Sequence, residues 1–138
     1  MGSAQAGRVL VCEDEQDLAA NLARVLQLHG YEARICHDGP AAIAEASRWR
    51  PTAAIIDIGL PGTTGYALAR EMRELLGKEV LLIALTGYGG PGDIELARHA
   101  GFNWHFEKPA PHAFLIEVLR DPKRKPIARQ DGVPLNPL

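Results

Sequence analysis

Short apolar runs alternate with segments of helical periodicity along the chain. The runs have strand length and cover residues 8–12, 31–36, 53–56, 80–85 and 104–106. Between and after them, apolar side chains recur three or four residues apart, which predicts helices over residues 16–29, 40–48, 66–76, a stretch that ends near 99, and 111–119. Continuously apolar strands in strict alternation with helices predict a parallel sheet covered by helices on both faces. Right-handed crossovers limit this sheet to a few doubly wound strand orders.

Length and composition favour a single domain. The chain has 138 residues, of which 46% are apolar and 23% charged, which is enough for one core. No apolar run approaches the roughly 20 residues of a membrane-spanning helix. Residues 1–7 lack the apolar block of a signal peptide and are expected to be a flexible lead-in or a cloning remnant. We therefore expect a cytoplasmic protein that does not enter the membrane.

The two cysteines, Cys12 and Cys36, are too few for a disulfide framework or a zinc site of their own. Each lies in a strand-like run. We interpret both as small buried apolar residues in a reducing compartment.

The net charge of −2 conceals an uneven distribution. Residues 120–138 contain five of the 15 Lys and Arg residues but only two of the 17 Asp and Glu residues. The preceding body is therefore acidic, which argues against direct nucleic-acid binding because phosphate backbones are bound by basic faces. Residues 121–138 also contain four prolines, a composition typical of a linker or of an extended segment that docks elsewhere. A homodimer contact is one arrangement that would hold such a tail.

Chemically active side chains follow four of the predicted strands, at the edge where parallel sheets bind ligands. Glu13 and Asp14 follow the first strand, Asp57 the third, Thr86 the fourth and Lys108 the fifth. Clustered carboxylates need a cation, and oxygen ligands suit Mg²⁺, with Mn²⁺ as its substitute. An Asp carboxylate attacks phosphorus, while a Thr hydroxyl and a Lys ammonium stabilise phosphoryl oxygens. The pattern thus predicts phosphoryl transfer onto the central carboxylate.

These residues lie in segments that resemble the receiver domains of two-component response regulators. The matching segments are VLVCEDE at 9–15, IIDIGLPGTTGYALAREMR at 55–73, LIALTGYG at 82–89 and AGFNWHFEKP at 100–109. The resemblance implies a receiver domain over residues 8–120. It also implies a flavodoxin-like, doubly wound sheet of five parallel strands in the order 2-1-3-4-5. The sequences of the last two segments resemble those of receiver domains in hybrid histidine kinases.

The resemblance implies a phosphoacceptor and a metal site. Asp57 looks like the acceptor and a metal ligand. Asp14 is expected to bind Mg²⁺ directly, Glu13 mostly through water, and Gly59 through its backbone carbonyl oxygen.

A switch is implied as well. Thr86 looks like the hydroxyl that turns toward the phosphoryl group, and Lys108 looks like its ion-pair partner, with a cis peptide bond to Pro109. The second switch position, commonly Tyr or Phe, is His105 here, and we interpret it as a half-buried ring; a pH-sensitive switch is the alternative. Tyr88 is expected to cover part of the phosphoryl site.

The implied function is a phosphorelay switch rather than an enzyme. A histidine kinase or a His-phosphotransfer protein is the expected donor, and the face built from the fourth helix, fifth strand and fifth helix is expected to exchange output partners. Only self-catalysed phosphorylation and dephosphorylation are expected. One alternative is a non-phosphorylated interaction module of the same fold. Another is a haloacid-dehalogenase-type phosphatase, which requires an aspartate where Gly59 stands.

Overall fold

Six strands form one sheet in the computed structural model, which describes residues 7–87, 91–121 and 133–134. The strands are β1 (Gly7–Cys12), β2 (Tyr31–Cys36), β3 (Ala53–Asp57), β4 (Leu81–Thr86), β5 (Trp104–Glu107) and β6 (Val133–Pro134). The helices are α1 (Gln16–Leu28), α2 (Gly39–Trp49), α3 (Gly65–Leu76), α4 (Pro91–Ala100) and α5 (His112–Arg120). No helix in these described ranges is both long and apolar enough to span a membrane. The predicted lead-in, apart from its last residue, and most of the predicted tail lie outside the described residues.

The strand order is β2-β1-β3-β4-β5-β6. The first five strands are parallel, which confirms the predicted order 2-1-3-4-5. β6 pairs antiparallel with β5 and is an addition that the apolar pattern did not predict. The register places Asp57 beside Leu85, and Thr86 beside Glu107. The carboxyl ends of β1, β3, β4 and β5 therefore meet at one edge of the sheet.

Alternate residues of the central strands enter two separate apolar layers, because side chains of a strand point to opposite faces in turn. Leu10, Ile56 and Leu82 lie in the layer covered by α2, α3 and α4. Val9 and Ile55 lie in the layer covered by α1 and α5. Burying each such side chain contributes about 1.5–3 kcal/mol relative to exposure.

Local signals set the helix starts near the site edge. The Asp38 carboxylate accepts a hydrogen bond of 2.8 Å from the Ala41 amide and caps α2. The Thr64 hydroxyl caps α3 in the same way, with a bond of 3.0 Å from the Ala67 amide. The structural bounds of the helices differ from the predicted ones by at most one residue.

Arg73 ties the opposite end of the sheet together. Its guanidinium donates to the carbonyl oxygens of Gly77, Val80 and Gly101, and to the side-chain oxygen of Asn103. Burial lowers the pKa of this guanidinium. The loops that lead into β4 and β5 are thus fixed from one side chain on α3.

Trp49, at the end of α2, packs against two arginines. The Arg34 guanidinium carbon lies 4.6 Å and that of Arg8 5.9 Å from the centroid of the Trp49 ring. The indole is buried at this corner of the sheet, remote from the carboxyl ends of the strands.

Candidate functional site

Three carboxylates converge at the carboxyl ends of β1 and β3. One oxygen each of Glu13, Asp14 and Asp57 lies within 4.8 Å of the others. Asp57 is the last residue of β3, and Glu13 and Asp14 directly follow β1, its hydrogen-bonded neighbour. Glu13 and Asp57 are buried, whereas Asp14 is exposed. The structure therefore brings together the three acids that the sequence predicts to share one site.

Lys108 bridges the two buried carboxylates. Its Nζ lies 3.0 Å from Glu13 Oε1 and 3.3 Å from Asp57 Oδ2. Burial opposes the positive charge of this side chain, yet the two carboxylates outweigh it and raise the pKa of Lys108. The ammonium is therefore firmly charged and held where an anion beside Asp57 would meet it.

Glu13 is held from several sides. Its Oε2 accepts a hydrogen bond of 3.2 Å from the Glu15 amide, and its own amide donates to the Cys36 carbonyl oxygen at 3.0 Å. Burial raises the pKa of Glu13; the ion pair with Lys108 opposes this rise, and the negative charge of Asp57 adds to it.

The loop after β3 orients Asp57. Its Oδ1 accepts a hydrogen bond of 3.1 Å from the Gly59 amide, and the Ile58 amide donates to the Leu85 carbonyl oxygen at 2.9 Å. The chain returns at Gly65, where a Cβ would lie 2.6 Å from Ile58 Cα. Only glycine lets the start of α3 approach the backbone of Asp57 and Ile58 so closely. The Gly59 carbonyl as a metal ligand stays a prediction.

Thr86 and Lys108 meet through their backbones. Thr86 ends β4 and is buried, and its carbonyl oxygen accepts a hydrogen bond of 2.7 Å from the Lys108 amide. The Lys108–Pro109 peptide bond is cis, as the resemblance implies. The predicted hydroxyl and ammonium thus stand at the ends of adjacent strands. Tyr88 lies outside the described residues.

His105 is 4% exposed, so the interpretation as a half-buried ring is wrong. It lies beside Ala84 in the register, on the same sheet face as Thr86 two residues further along β4. Within the described part of the chain, its Nε2 has no hydrogen-bond partner. Burial lowers the pKa of His105, although the negative charges of Asp93 and Glu107 act against it.

The side chain of Trp104 is part of the apolar core and is not available at the surface. It is 3% exposed, and its ring centroid lies 6.0 Å from that of Phe106 in a stacked pair. Both rings belong to the apolar layer under α1 and α5, on the sheet face opposite to His105.

Sequence reasoning missed His37. Its Nδ1 lies 2.9 Å from the Glu13 carbonyl oxygen, at the end of β2. The rule that located the other site residues, the polar side chain that follows a strand at this edge, also identifies His37. It supports the backbone that presents Glu13 and Asp14.

Comparison with known proteins identifies the family of this fold. The family model described as the response regulator receiver domain matches residues 9–120. The sensory transduction protein RegX3 of Mycobacterium tuberculosis is 37% identical over 112 residues, which make up 81% of this chain and 48% of that protein. The chain thus spans about half the length of the curated relatives it matches.

Two solved structures are similar over most of the chain. The receiver domain of a sensor histidine kinase from Pseudomonas aeruginosa, described with a magnesium ion in its active-site cleft, is 33% identical with a TM-score of 0.76, over 85% of this chain and 96% of that one. A Burkholderia pseudomallei response regulator, described with a phosphorylated aspartic acid, a calcium ion and citrate, is 25% identical with a TM-score of 0.77. The match covers 83% of this chain and 66% of that one. With a family model matched over most of its length and a site built from the expected residues, the chain belongs to the response regulator receiver domains of two-component systems.

Proposed function

We propose that this receiver is a phosphorylation switch in which Asp57 accepts a phosphoryl group from a phosphohistidine. The donor would be a histidine kinase or a His-phosphotransfer protein in the cytoplasm. The observation that carries the proposal is the position of Lys108 Nζ, 3.0 Å from Glu13 Oε1 and 3.3 Å from Asp57 Oδ2. An ammonium that already spans the acceptor and a neighbouring acid is positioned to bind the oxygens of an arriving phosphoryl group.

The transfer is a substitution at phosphorus. A carboxylate oxygen of Asp57 forms a bond to phosphorus, the bond from phosphorus to the imidazole nitrogen breaks, and that nitrogen keeps the electron pair. The Gly59 amide fixes the rotation of the Asp57 carboxylate through its 3.1 Å bond to Oδ1. Lys108 stabilises negative charge on the phosphoryl oxygens, and the Thr86 hydroxyl is proposed to donate to another of them.

The donor set fits a divalent cation. Three carboxylates face one ammonium, so the cluster keeps an excess of negative charge. We propose that Asp14, Asp57 and the Gly59 carbonyl oxygen hold Mg²⁺, with Glu13 acting through water and Mn²⁺ as the substitute. The bound ion supplies positive charge that lets a phosphoryl group approach these carboxylates. The solved relative described with magnesium in its cleft supports this choice.

The response to phosphorylation is proposed to pass from Thr86 to His105. Both side chains lie on the face of the sheet toward α4, on adjacent strands. A shift of the Thr86 hydroxyl toward the phosphoryl group changes the space beside His105, and the face of α4, β5 and α5 then exchanges partners. The proposed chemistry is limited to the chain's own phosphorylation and dephosphorylation, without turnover of a separate substrate.

Intact-protein mass after incubation with phosphoramidate and Mg²⁺ tests this function. We expect one added phosphoryl group on the wild type and none on Asp57→Asn. Asp17→Asn is the matched control, because Asp17 is an exposed carboxylate of α1 outside the acid cluster, and it should react as the wild type does.

Other outcomes separate the alternatives. A wild type that gains no mass, with or without EDTA, would overturn the proposal in favour of a constitutive interaction module. Release of inorganic phosphate over many turnovers from p-nitrophenyl phosphate would instead favour an aspartate-dependent phosphatase.

A further inference from the structure

The outer edge of β5 is occupied by the chain itself. Val133 pairs with His105 and Pro134 pairs with Trp104, in an antiparallel arrangement. Without β6, β5 would be the last strand of the sheet and would present unpaired amide and carbonyl groups. An edge of this kind accepts any extended peptide that matches its hydrogen-bonding groups.

β6 is suited to end the sheet. It has two residues, and Pro134 lacks an amide hydrogen, so Val133 holds the only amide donor of the strand. Very short strands and prolines at a sheet edge discourage further strands from adding. The segment therefore covers the edge of β5, and its own outer edge offers fewer hydrogen-bonding groups to a further strand.

The same chain can supply this strand. Residues 121–132 separate α5 from β6, and twelve residues at about 3.3 Å each reach roughly 40 Å. Six strands spaced at about 4.8 Å make a sheet roughly 24 Å wide. The connection is thus long enough for any position along the sheet, and no second copy is needed.

We propose that the outer edge of β5 is an acceptor site for an extended peptide strand, and that residues 133–134 of the same chain occupy it. A partner strand is admitted only when this segment leaves. The proposal concerns the β5 edge alone and does not depend on phosphorylation of Asp57. The position on β5 is relevant to the proposed switch, because His105, the proposed switch residue of this strand, is the pairing partner of Val133.

The test uses the full chain with Val133→Pro, which removes the amide donor of β6, and Val133→Ile as the matched control. Hydrogen exchange is followed in the segment that contains β5. We expect about tenfold faster exchange of the β5 amides that face β6 in Val133→Pro, since β6 leaves the edge once it cannot donate and these amides then lose their acceptors. The control should exchange as the wild type does. Unchanged exchange in β1 and β3 would show that the fold is retained.

A second measurement tests the acceptor site directly. The probe is a fluorescent peptide with the sequence of residues 129–138, RQDGVPLNPL. We expect it to bind Val133→Pro but neither the wild type nor Val133→Ile, whose edge is filled. Equal binding to all three proteins, or none to Val133→Pro, would overturn the proposal, and so would unaltered exchange of β5 in that variant.

Light scattering over a concentration series identifies the source of the strand. A monomeric wild type with protected β5 amides supports occupation by the same chain. A dimeric wild type that becomes monomeric in Val133→Pro would show that a second copy donates the strand, and would overturn that part of the proposal.

Discussion

The Lys108 amide donates a hydrogen bond of 2.7 Å to the Thr86 carbonyl oxygen, so the two residues share one backbone contact at the site. Their side chains are the proposed partners of the phosphoryl oxygens. Because this hydrogen bond connects the two backbones, it holds the ends of β4 and β5 together. A displacement of Thr86 would therefore also displace Lys108. In the proposed function, this contact would couple charge neutralisation by Lys108 to the movement of Thr86.

Lys108→Met should leave Glu13 and Asp57 facing each other without a cation. We expect the free energy of unfolding to fall by about 1–3 kcal/mol, the usual cost of leaving a buried polar group unpaired. Phosphorylation by phosphoramidate should slow about 100-fold, the typical effect of removing one donor to a developing charge. Urea denaturation and timed intact-mass measurements check both. Lys78→Met, at an exposed position, should change stability by less than about 0.5 kcal/mol; equal behaviour of the two variants would contradict the assigned role of Lys108.

Mg²⁺ should stabilise the folded chain through the acid cluster. At 100 times its dissociation constant, a ligand that binds only the folded state adds about 2.7 kcal/mol. Asp14→Asn removes a carboxylate from the cluster, and we expect the Mg²⁺ concentration for half-maximal stabilisation to rise at least about tenfold. Thermal melting over a Mg²⁺ series, reversed with EDTA, measures this shift. Asp17→Asn serves again as control, and a common titration curve for both variants would remove Asp14 from the metal site.

The stability of the chain should fall on acidification because of His105. Burial lowers its pKa in the folded chain below the ordinary value of 6.5. The unfolded chain therefore binds the proton first, and the stability present above pH 6.5 is lost progressively as the pH falls toward the folded pKa. Asp93 and Glu107 lessen the effect without reversing it.

His105→Phe should remove this contribution. The wild type is expected to lose more free energy of unfolding between pH 7.5 and 5.5 than the variant, as measured by urea denaturation at each pH. His112→Phe changes an exposed histidine at the start of α5 and should keep the wild-type dependence. Identical pH profiles for wild type and His105→Phe would show that the buried ring does not govern this range.

Gly65→Ala should disturb the acceptor loop. The added Cβ would meet Ile58 Cα at 2.6 Å and the Asp57 carbonyl oxygen at 3.0 Å, and both are backbone atoms that cannot rotate away. We expect a loss of about 1–3 kcal/mol in stability, typical of overpacking, together with slower phosphorylation of Asp57. Gly92→Ala places its Cβ in open space within α4, and unfolding and mass measurements should show no loss. A fully active and stable Gly65→Ala would indicate that the loop adapts.

The sequence predicts most of this fold because its signals are local or periodic. Five strands and five helices appear within one or two residues of their predicted bounds, and the strand-end rule places Glu13, Asp14 and Asp57 together. The bounds shift where pairing with a neighbouring strand extends a strand by a residue: Asp57 of β3 pairs with Leu85, and Thr86 of β4 pairs with Glu107.

The features that escaped prediction depend on tertiary contacts. Val133 and Pro134 show no periodicity in a proline-rich segment, so their pairing with β5 follows only from the bare edge of the folded sheet. The near-complete burial of His105 results from the elements packed over β5, which its own polarity does not reveal. His37 contacts Glu13 across two strand ends, a relationship set by strand order.

The two tryptophans of the chain lie in different regions of the sheet, so each contributes fluorescence that depends on a different part of the fold. Trp49 contacts Arg8 and Arg34 at the corner away from the acid cluster. Trp104 is stacked on Phe106 within the strand that also contains His105. With Trp49 replaced by Phe, the remaining indole emission would follow β5 alone, and changes at the proposed output strand could be timed in solution without attaching a dye.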